Sequence, residues 1–496
     1  MEMLEGQADV VVVGGGNAAF CAALAAQEAG AKVMVLERAP VEESGGNTRF
    51  TSGSMRFAFD GFEDLMPIMP DLSEHERATL DFGAYTADDF FDDMFRATNY
   101  RTDPALCERL VTQSLETVQW LARRGVRFLP KLSQSYRDSE KIRFTGGVVV
   151  EASGGGDGLV TRQTELLIAG GGDVHYNAKV VSLLFDGVRV NGVKVRVDGE
   201  LRDIHAKSVV LACGGFEANP EWRARYLGPG WDLVKVRGTR FNSGDGLRMA
   251  LEIGASPFGN WTGCHSVGWD ANAPEFGDLE VGALFQKHSY PIGIMINANG
   301  RRFVDEGADL RQFTYAKYGR VVMEQPGQFA WQVFDSKTIK LLRPEYRIRK
   351  VTKVSAGSIG ELAAKLEGVD AAGFLDEVAA YNCAVMNNAP FHPGIRDGRG
   401  TEGLAIPKSN WANTIDEPPF EAYQVGCGIT FTFGGLRINP ETGCVLDTDM
   451  APLHGLYAAG EMVGGLFYFN YPGGTGLMSG AVFGRLAGTS AARGQA

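Results

Sequence analysis

Cysteine, excess positive charge and unbroken apolar runs are all scarce in this chain of 496 residues, and each scarcity excludes a class of protein. The seven cysteines are Cys21, Cys107, Cys213, Cys264, Cys383, Cys427 and Cys444; the count is odd and no two form a C-x-x-C. That disfavours a disulfide framework, an iron–sulfur cluster and c-type haem, and no metal site is expected. Scattered cysteines with mostly apolar flanks read as small core residues. No run of about 18 apolar residues free of glycine turns is present, so no membrane span is expected. The opening MEMLEGQADV is acidic and lacks a basic stretch, so it does not read as a secretory signal. A cytoplasmic protein is the default expectation. With 48 Lys and Arg against 60 Asp and Glu, the net charge is −12, which disfavours nucleic acid or an anionic membrane as partner. There is no internal repeat and no low-complexity tract.

Glycine is what the chain has in quantity, 65 residues, which suits close approach of backbone to a ligand. The first of them organise the N-terminal stretch. Asp9 to Val13 (DVVVV) reads as a short buried strand, Gly14-Gly15-Gly16-Asn17-Ala18-Ala19 as a tight turn, and Phe20 to Ala29 as a helix that Gly30 ends. Lys32 to Leu36 is a second strand, with Glu37 and Arg38 at its end. This order is a dinucleotide-binding fingerprint with Ala19 in the third glycine place. Gly14 permits the turn, Gly16 lets backbone approach a pyrophosphate, and the helix start offers N–H groups and a partial positive charge to the phosphates. Glu37 can accept hydrogen bonds from ribose hydroxyls, and its charge would repel a 2′-phosphate.

Further along, Ser44-Gly45-Gly46-Asn47-Thr48-Arg49 and Thr51-Ser52-Gly53-Ser54 are small, glycine-rich segments able to lie against a flat ring. Residues 73–125 show helical periodicity. Gly154 to Gly158 opens another helix that runs to about Ala169. Val174 to Val197 alternates apolar and polar residues, with hairpin turns expected at Asp186-Gly187 and Asn191-Gly192. Ser208 to Ala212 is an apolar strand before Cys213-Gly214-Gly215-Phe216. Asn242-Ser243-Gly244-Asp245-Gly246 precedes a helix, Leu247 to Ile253. From about Pro257 to Thr430 aromatics and prolines become more frequent, and a second domain is expected there. Gly455 to Glu461 then reads as a strand and turn with a terminal acid, and Asn470-Tyr471-Pro472-Gly473-Gly474-Thr475-Gly476-Leu477 leads into a helix from Met478 to Ala492.

Taken together, GGGNAA at 14–19, SGGNT at 44–48, LACGGF at 211–216, NSGDGL at 242–247, NANGRRFVDE at 297–306, LYAAGE and YPGGTGL resemble, in order, the flavoprotein subunit of fumarate reductase and succinate dehydrogenase and its soluble relatives. Within that family DEGADLRQFTYAKYG (305–319), GITFTFGGL (428–436) and GGLFYFNYPGGTGL (464–477) look like the FAD-dependent tricarballylate dehydrogenases. The resemblance implies an α/β fold: a discontinuous Rossmann-like FAD-binding domain, 1–256 and 432–496, with an inserted α+β capping domain, 257–431. It implies FAD, with Gly14, Gly16, Asn17 and Ala18 at the pyrophosphate and Glu37 at the adenosine ribose, Arg38 beside it. Gly45, Gly46, Asn47, Thr48, Ser52 and Gly53 would line the flavin, with Ala212 and Gly214 in the cofactor-binding set, and Val180 would present backbone to the adenine. Asp245 and Glu461 would sit against the ribityl chain. Thr475, Gly476 and Leu477 would offer N–H groups to the flavin N1/O2 edge, where reduced flavin gathers negative charge. Membrane-bound members tether FAD through a histidine after the second strand. Ser44 to Ser54 has no histidine, so non-covalent FAD is expected.

On the substrate side the resemblance implies roles for His265 and for Arg311 as the proton-transfer residue. The second substrate histidine would fall near Thr430 or Phe431, and the second substrate arginine falls on Tyr471. The residues of the family's proton relay fall near Gln286 and Ser289. Fumarate reduction as such is therefore not expected. His288, Tyr290, Arg399 and Lys408 are further substrate candidates in the cap. The function expected is hydride exchange between a substrate carbon, next to an electron-withdrawing group, and flavin N5, on a small polycarboxylate such as tricarballylate. Two other readings remain: an enone or 3-ketosteroid-like substrate with Tyr471 on the carbonyl, and an electron-transfer flavoprotein without substrate chemistry of its own. A flavin portion of an oxygen-using precorrin-3B synthase would need an iron–sulfur and haem module that this chain lacks. By resemblance, a membrane-bound iron–sulfur protein is the expected electron acceptor.

Overall fold

The computed structural model describes residues 8–387 and 389–496. The reading of the acidic opening, residues 1–7, lies outside the described residues. The chain divides into two units, the first comprising Met1–Asp232, Gly238–Cys264 and Phe431–Ala496, the second Leu233–Arg237 and His265–Thr430.

The first unit is built on an eight-stranded sheet. Ala8–Val13 lies between Glu200–Leu211 and Val33–Leu36, parallel to both. Val10, Val11 and Val12 are fully buried, as a strand covered on both faces requires. The outer end of Glu200–Leu211 pairs antiparallel with Val190–Val197, and its inner end pairs in parallel with Pro452–Ala458. One expected hairpin forms, joining Lys179–Phe185 to Val190–Val197 around Asp186-Gly187. The other, at Asn191-Gly192, does not. Those residues lie inside the Val190–Val197 strand, and the chain turns instead at Asp198-Gly199. Gly192 serves close approach rather than reversal: at φ 144° a Cβ there would stand 2.1 Å from the Ile204 carbonyl oxygen. The periodicity over 73–125 resolves into the helices Glu74–Thr79, Ala87–Ala97 and Pro104–Arg123.

The helix after the first strand spans Asn17–Glu28, and the C-terminal helix spans Thr475–Arg493. They pack with almost no side chain between them. Gly480, Gly484 and Gly488 recur at helical spacing on one face; a Cβ at Gly484 would fall 2.5 Å from the Ala18 carbonyl oxygen and one at Gly488 2.0 Å from that of Ala22. The facing residues are Ala18, Cys21 and Ala22, so small residues on both sides permit the approach.

The second unit carries a six-stranded sheet in which Phe420–Leu436 is central, pairing with Lys235–Val236, Ala330–Phe334, Lys353–Ala356 and Pro257–Asp270. Ile294, Ile296, Trp331 and Val333 pack with Leu362, Phe374, Val378 and Tyr381 into its core. Among the described residues no helix is long and apolar enough to cross a membrane, and no group of three or more His, Cys, Asp or Glu is placed to hold a metal ion. The cysteines are free thiols, with Cys383 exposed and Cys213 half-buried rather than in the core.

The glycine contact yields a test. Gly488→Ala gains about 1 kcal/mol of helix propensity but forces a Cβ against backbone, and overpacking costs about 1–3 kcal/mol. The clash should win: thermal unfolding of Gly488→Ala is expected at lower temperature, and Gly488→Val lower still. An unchanged or raised Tm in both variants would mean the helices are not locked together here.

Candidate active site

The turn after the first strand is shaped by what surrounds it. Gly14 has φ 115°, and a Cβ there would lie 2.4 Å from the Ala212 carbonyl oxygen. The Asn17–Glu28 helix starts with Gly16 at its cap, with no side-chain acceptor and no acid in its first turn. Its N-terminal N–H groups and dipole are thus arranged for an anion from elsewhere. Asn17 is a junction: its N–H donates to Thr48 Oγ1 at 3.0 Å, its Nδ2 to the Leu477 carbonyl at 2.8 Å, and its Oδ1 accepts from Gln163 Nε2 at 2.9 Å. A second helix start, at Thr475 behind Gly474 with φ 87°, also lacks a side-chain cap and a first-turn acid. Arg56, fully buried, holds the loop before it by donating from Nε to the Gly473 carbonyl at 2.9 Å.

Glu37 is 6 % exposed at the end of its strand, accepts from the Ala39 N–H through Oε1 at 2.7 Å, and burial pushes its carboxyl up. Val180 lies buried in the Lys179–Phe185 strand, close behind Ala178, whose N–H bonds the Glu37 carbonyl at 2.9 Å. Arg38 donates from Nη1 to Asp245 Oδ2 at 2.6 Å, to Ser243 Oγ at 2.6 Å and to the Phe241 carbonyl at 3.0 Å. That ion pair fastens the NSGDG turn to the end of the second strand. Against the upward push of burial, Arg38 and Lys179 hold the Asp245 carboxyl below its ordinary range. Gly45, Gly46 and Gly53 take left-handed φ values of 98°, 55° and 69°, and Ser52 Oγ pairs with Ser54 Oγ at 2.8 Å.

The sequence reading missed the most unusual group in this unit. Glu217, directly after GGF, is fully buried. Its Oε1 accepts from Asn47 Nδ2 and from Asn242 Nδ2, each at 2.6 Å. Glu461 Oε1 accepts from the Thr432 N–H at 2.6 Å and its hydroxyl at 3.0 Å. The two carboxyl groups also meet each other, and burial followed by the Glu461 charge holds Glu217 well above the ordinary carboxylate range. Like charges this close in an apolar setting cannot both ionise, so the pair shares a proton. The signal in the sequence was an acid placed inside an apolar, glycine-rich motif.

In the second unit His265, His288 and Arg311 gather around Tyr315. The His265 and His288 rings each stand edge-on to it at 5.0 Å, and the Arg311 guanidinium carbon lies 5.4 Å from its centre. Arg311 Nη1 is 3.3 Å from His288 Nδ1. A guanidinium only donates, so His288 Nδ1 accepts and the ring proton sits on Nε2. That Nε2 is buried with no hydrogen-bond partner among the described residues. Burial and then Arg237 lower the basicity of His265, while burial, Arg311 and Arg237 lower that of His288, so both rings are neutral at pH 7. Burial and then Arg343 push the Arg311 guanidinium down to about 10. Tyr290 turns its hydroxyl to Thr314 Oγ1 at 2.6 Å. Arg399 is occupied by the carbonyls of Ala412 at 2.7 Å and Ala389 at 3.0 Å and by Asn387, which fastens its own loop. Lys408 donates to the Gly293 carbonyl, fully buried, and burial lowers its ammonium to about 8. Tyr471, in the first unit, is 7 % exposed and packs edge-on against Phe431 at 5.3 Å and Phe467 at 5.4 Å.

The family described as FAD binding domain matches residues 9–477. The chain belongs to this family. It is 30 % identical over 500 residues to the probable fumarate reductase Ifc3 of Shewanella frigidimarina, covering 98 % of this chain and 74 % of that protein. A solved open conformation of a flavocytochrome c3 fumarate reductase superposes with a TM-score of 0.73 at 28 % identity, covering 99 % of this chain and 78 % of that one. A 3-ketosteroid Δ1-dehydrogenase from Sterolibacterium denitrificans shares the fold at a TM-score of 0.75 and 20 % identity, over 99 % and 100 % of the two chains. This FAD binding domain protein is an FAD-dependent oxidoreductase acting on carbon–carbon single or double bonds. An electron-transfer flavoprotein without substrate chemistry is set aside. The uncapped helix starts at Asn17 and Thr475 and the buried Glu37 carboxylate fit the phosphates, flavin edge and ribose of such a cofactor.

The carboxyl pair yields a prediction with a sign. A buried acid held above its unfolded range favours folding fully below that range, and the benefit is lost as pH rises through the folded value. Stability of the FAD-loaded protein is expected to fall across that interval, and Glu217→Gln, which supplies a neutral donor to Glu461, should remove that part of the slope. Glu217→Leu, which strands the Asn47 and Asn242 amides, should cost about 1–3 kcal/mol per group. Tm against pH for the three proteins is the measurement; parallel curves for wild type and the Gln variant would refute a shared proton.

Proposed function

We propose that this protein dehydrogenates a small polycarboxylate of the tricarballylate type. The observation that carries the reading is the His265–His288–Arg311 group around Tyr315: a buried guanidinium of lowered basicity beside two neutral imidazoles, one with an unused N–H. Such a group can bind an anionic oxygen and move a proton. FAD, when bound, supplies the two-electron hydride acceptor at N5. Oxidation of a CH–CH unit breaks two C–H bonds: one hydrogen leaves as hydride, and the other leaves as a proton to Arg311. His265 and His288 donate to the carboxylate that acidifies that carbon. Within the first unit, Phe431 and Phe467 pack edge-on against Tyr471 and fix its ring. The electrons need a separate acceptor, and the resemblance implies a membrane-bound iron–sulfur protein.

Arg311 sets the pH dependence. With its guanidinium at about 10, roughly one molecule in a thousand carries it neutral at pH 7. Oxidation needs the neutral form, so kcat for oxidation is expected to rise about tenfold per pH unit toward that value. Reduction of the product uses the protonated form and should be flat over the same range. Arg311→Lys should cut turnover by about 10²–10⁴-fold, whereas Tyr471→Phe should mainly raise KM. The decisive experiment is anaerobic bleaching of the bound flavin by tricarballylate. If a 3-ketosteroid bleaches it and no polycarboxylate does, and if Tyr471→Phe rather than Arg311→Lys abolishes turnover, the second reading takes over. The aromatic setting of Tyr471 is what favours that alternative.

FAD is expected to be non-covalent, since residues 44–54 contain no histidine. Acid precipitation should leave yellow flavin in the supernatant; flavin that stays on the denatured chain would refute this.

A further inference from the structure

A single aromatic ring, that of Tyr315, meets His265, His288 and Arg311 together. Those three arrive from separate segments: the strand Pro257–Asp270, the turn leading into Tyr290–Ile292, and the turn Arg311–Phe313. Tyr315 opens the helix Tyr315–Met323 and is 8 % exposed. That helix is set directly on the strand that carries His265. Gly319 lies one turn after Tyr315, on the same face. A Cβ there would stand 2.4 Å from the Ser266 carbonyl carbon and 2.4 Å from the Val267 nitrogen. With no side chain between helix and strand at this point, the two cannot slide, and the Tyr315 ring has a fixed place beside His265.

The contacts differ in kind. The imidazoles of His265 and His288 stand edge-on to the ring, at 75° and 67°, with centres 5.0 Å away in both cases. The Arg311 guanidinium carbon lies over the ring, 5.4 Å from its centre. An aromatic face is the negative part of the ring's quadrupole, so it favours the charged guanidinium over the neutral one, and more strongly where water is excluded. Burial and then Arg343 act on Arg311 in the opposite direction, while Tyr290 and Glu345 act with the ring. The remaining neighbour is His288, whose Nδ1 is 3.3 Å from Arg311 Nη1.

We propose that Tyr315 is a positioning residue for the proton transfer: its ring face holds the Arg311 guanidinium in the charged form, and its edge contacts keep both imidazoles beside it. This rests on the reading in which Arg311 takes the proton of a polycarboxylate substrate. A merely structural Tyr315 would fill space in the core, and its loss would slow the reaction equally at every pH.

The test reads the rate of anaerobic flavin bleaching by tricarballylate in the FAD-loaded enzyme, from pH 7 upward. Tyr315→Phe keeps the ring and should keep the wild-type profile. Ring fluorination of that phenylalanine withdraws charge from the face with little change of shape. With trifluorophenylalanine at this position the rate should level off about one pH unit lower than in Tyr315→Phe, and at pH 8 bleaching should be about three- to tenfold faster. Tyr315→Leu, which removes the ring, should show the same shift with a plateau about 10²-fold lower, because the imidazoles lose their support. A rate gain on weakening a contact is not what a space-filling role produces. If tricarballylate bleaches wild type while Tyr315→Phe and its fluorinated forms share one profile, this inference falls and the polycarboxylate reading stands. It falls equally if Tyr315→Phe loses as much turnover as Tyr315→Leu, since the hydroxyl and not the ring would then be the working part. If no polycarboxylate bleaches wild type, the reading falls and the inference with it. Should Tyr315→Leu fail to retain FAD, the fluorinated series decides alone.

Discussion

The approach of the Asn17–Glu28 and Thr475–Arg493 helices, nearly backbone to backbone, is the constraint from which the cofactor site follows. Gly484 and Gly488 against Ala18 and Ala22 leave no room to slide or rotate, so both helix starts are fixed together. Asn17 completes the lock by bonding Leu477, Thr48 and Gln163. Neither helix start has a side-chain cap or an acid in its first turn, so neither dipole is compensated by its own helix. A fold that leaves two helix dipoles uncapped in one unit is organised for a ligand with negative charge at two places, which a dinucleotide with a reducible ring provides.

Charge inside the protein is handled in two opposite ways. In the first unit, excess acid is neutralised by sharing: Glu217 and Glu461 hold a proton between them, and amides from the SGGN and NSGDG segments close round Glu217. That joins two segments that the sequence reading had placed only against the cofactor. In the second unit, positive charge is retained and the histidines adapt by staying neutral. A neutral imidazole can still donate one hydrogen bond, so the arrangement keeps polar contacts for a ligand without adding further buried charge.

Much of this was legible in the sequence because it is local. The strand, turn and helix at the start depend on neighbours in the chain, so Gly14, Gly16 and Glu37 could be read from spacing, whereas Asn17 and Ala18 came from position in a resemblance. His265 and Arg311 were found by position in a resemblance. What was not legible depends on partners far away. Asn191-Gly192 has the composition of a turn, but the requirement that fixes Gly192 comes from Ile204 across the sheet. Arg237 has no motif of its own; only the pairing of a two-residue strand with Phe420–Leu436 brings it to Thr430. Arg399 and Lys408 looked available because nothing nearby in sequence announces the carbonyls that occupy them.

The bond from Asn17 to Leu477 spans 460 positions of sequence. During synthesis the fingerprint that reads as a finished binding motif therefore emerges long before the helix that immobilises it. The glycine turn and its strand can form early, since they are held by short-range pairing, but residue 477 must be delivered before either helix start is locked in place. Cofactor loading is accordingly a late event in the life of each molecule, and the nascent chain is a form that cells must keep from aggregating while its central helix still lacks its partner.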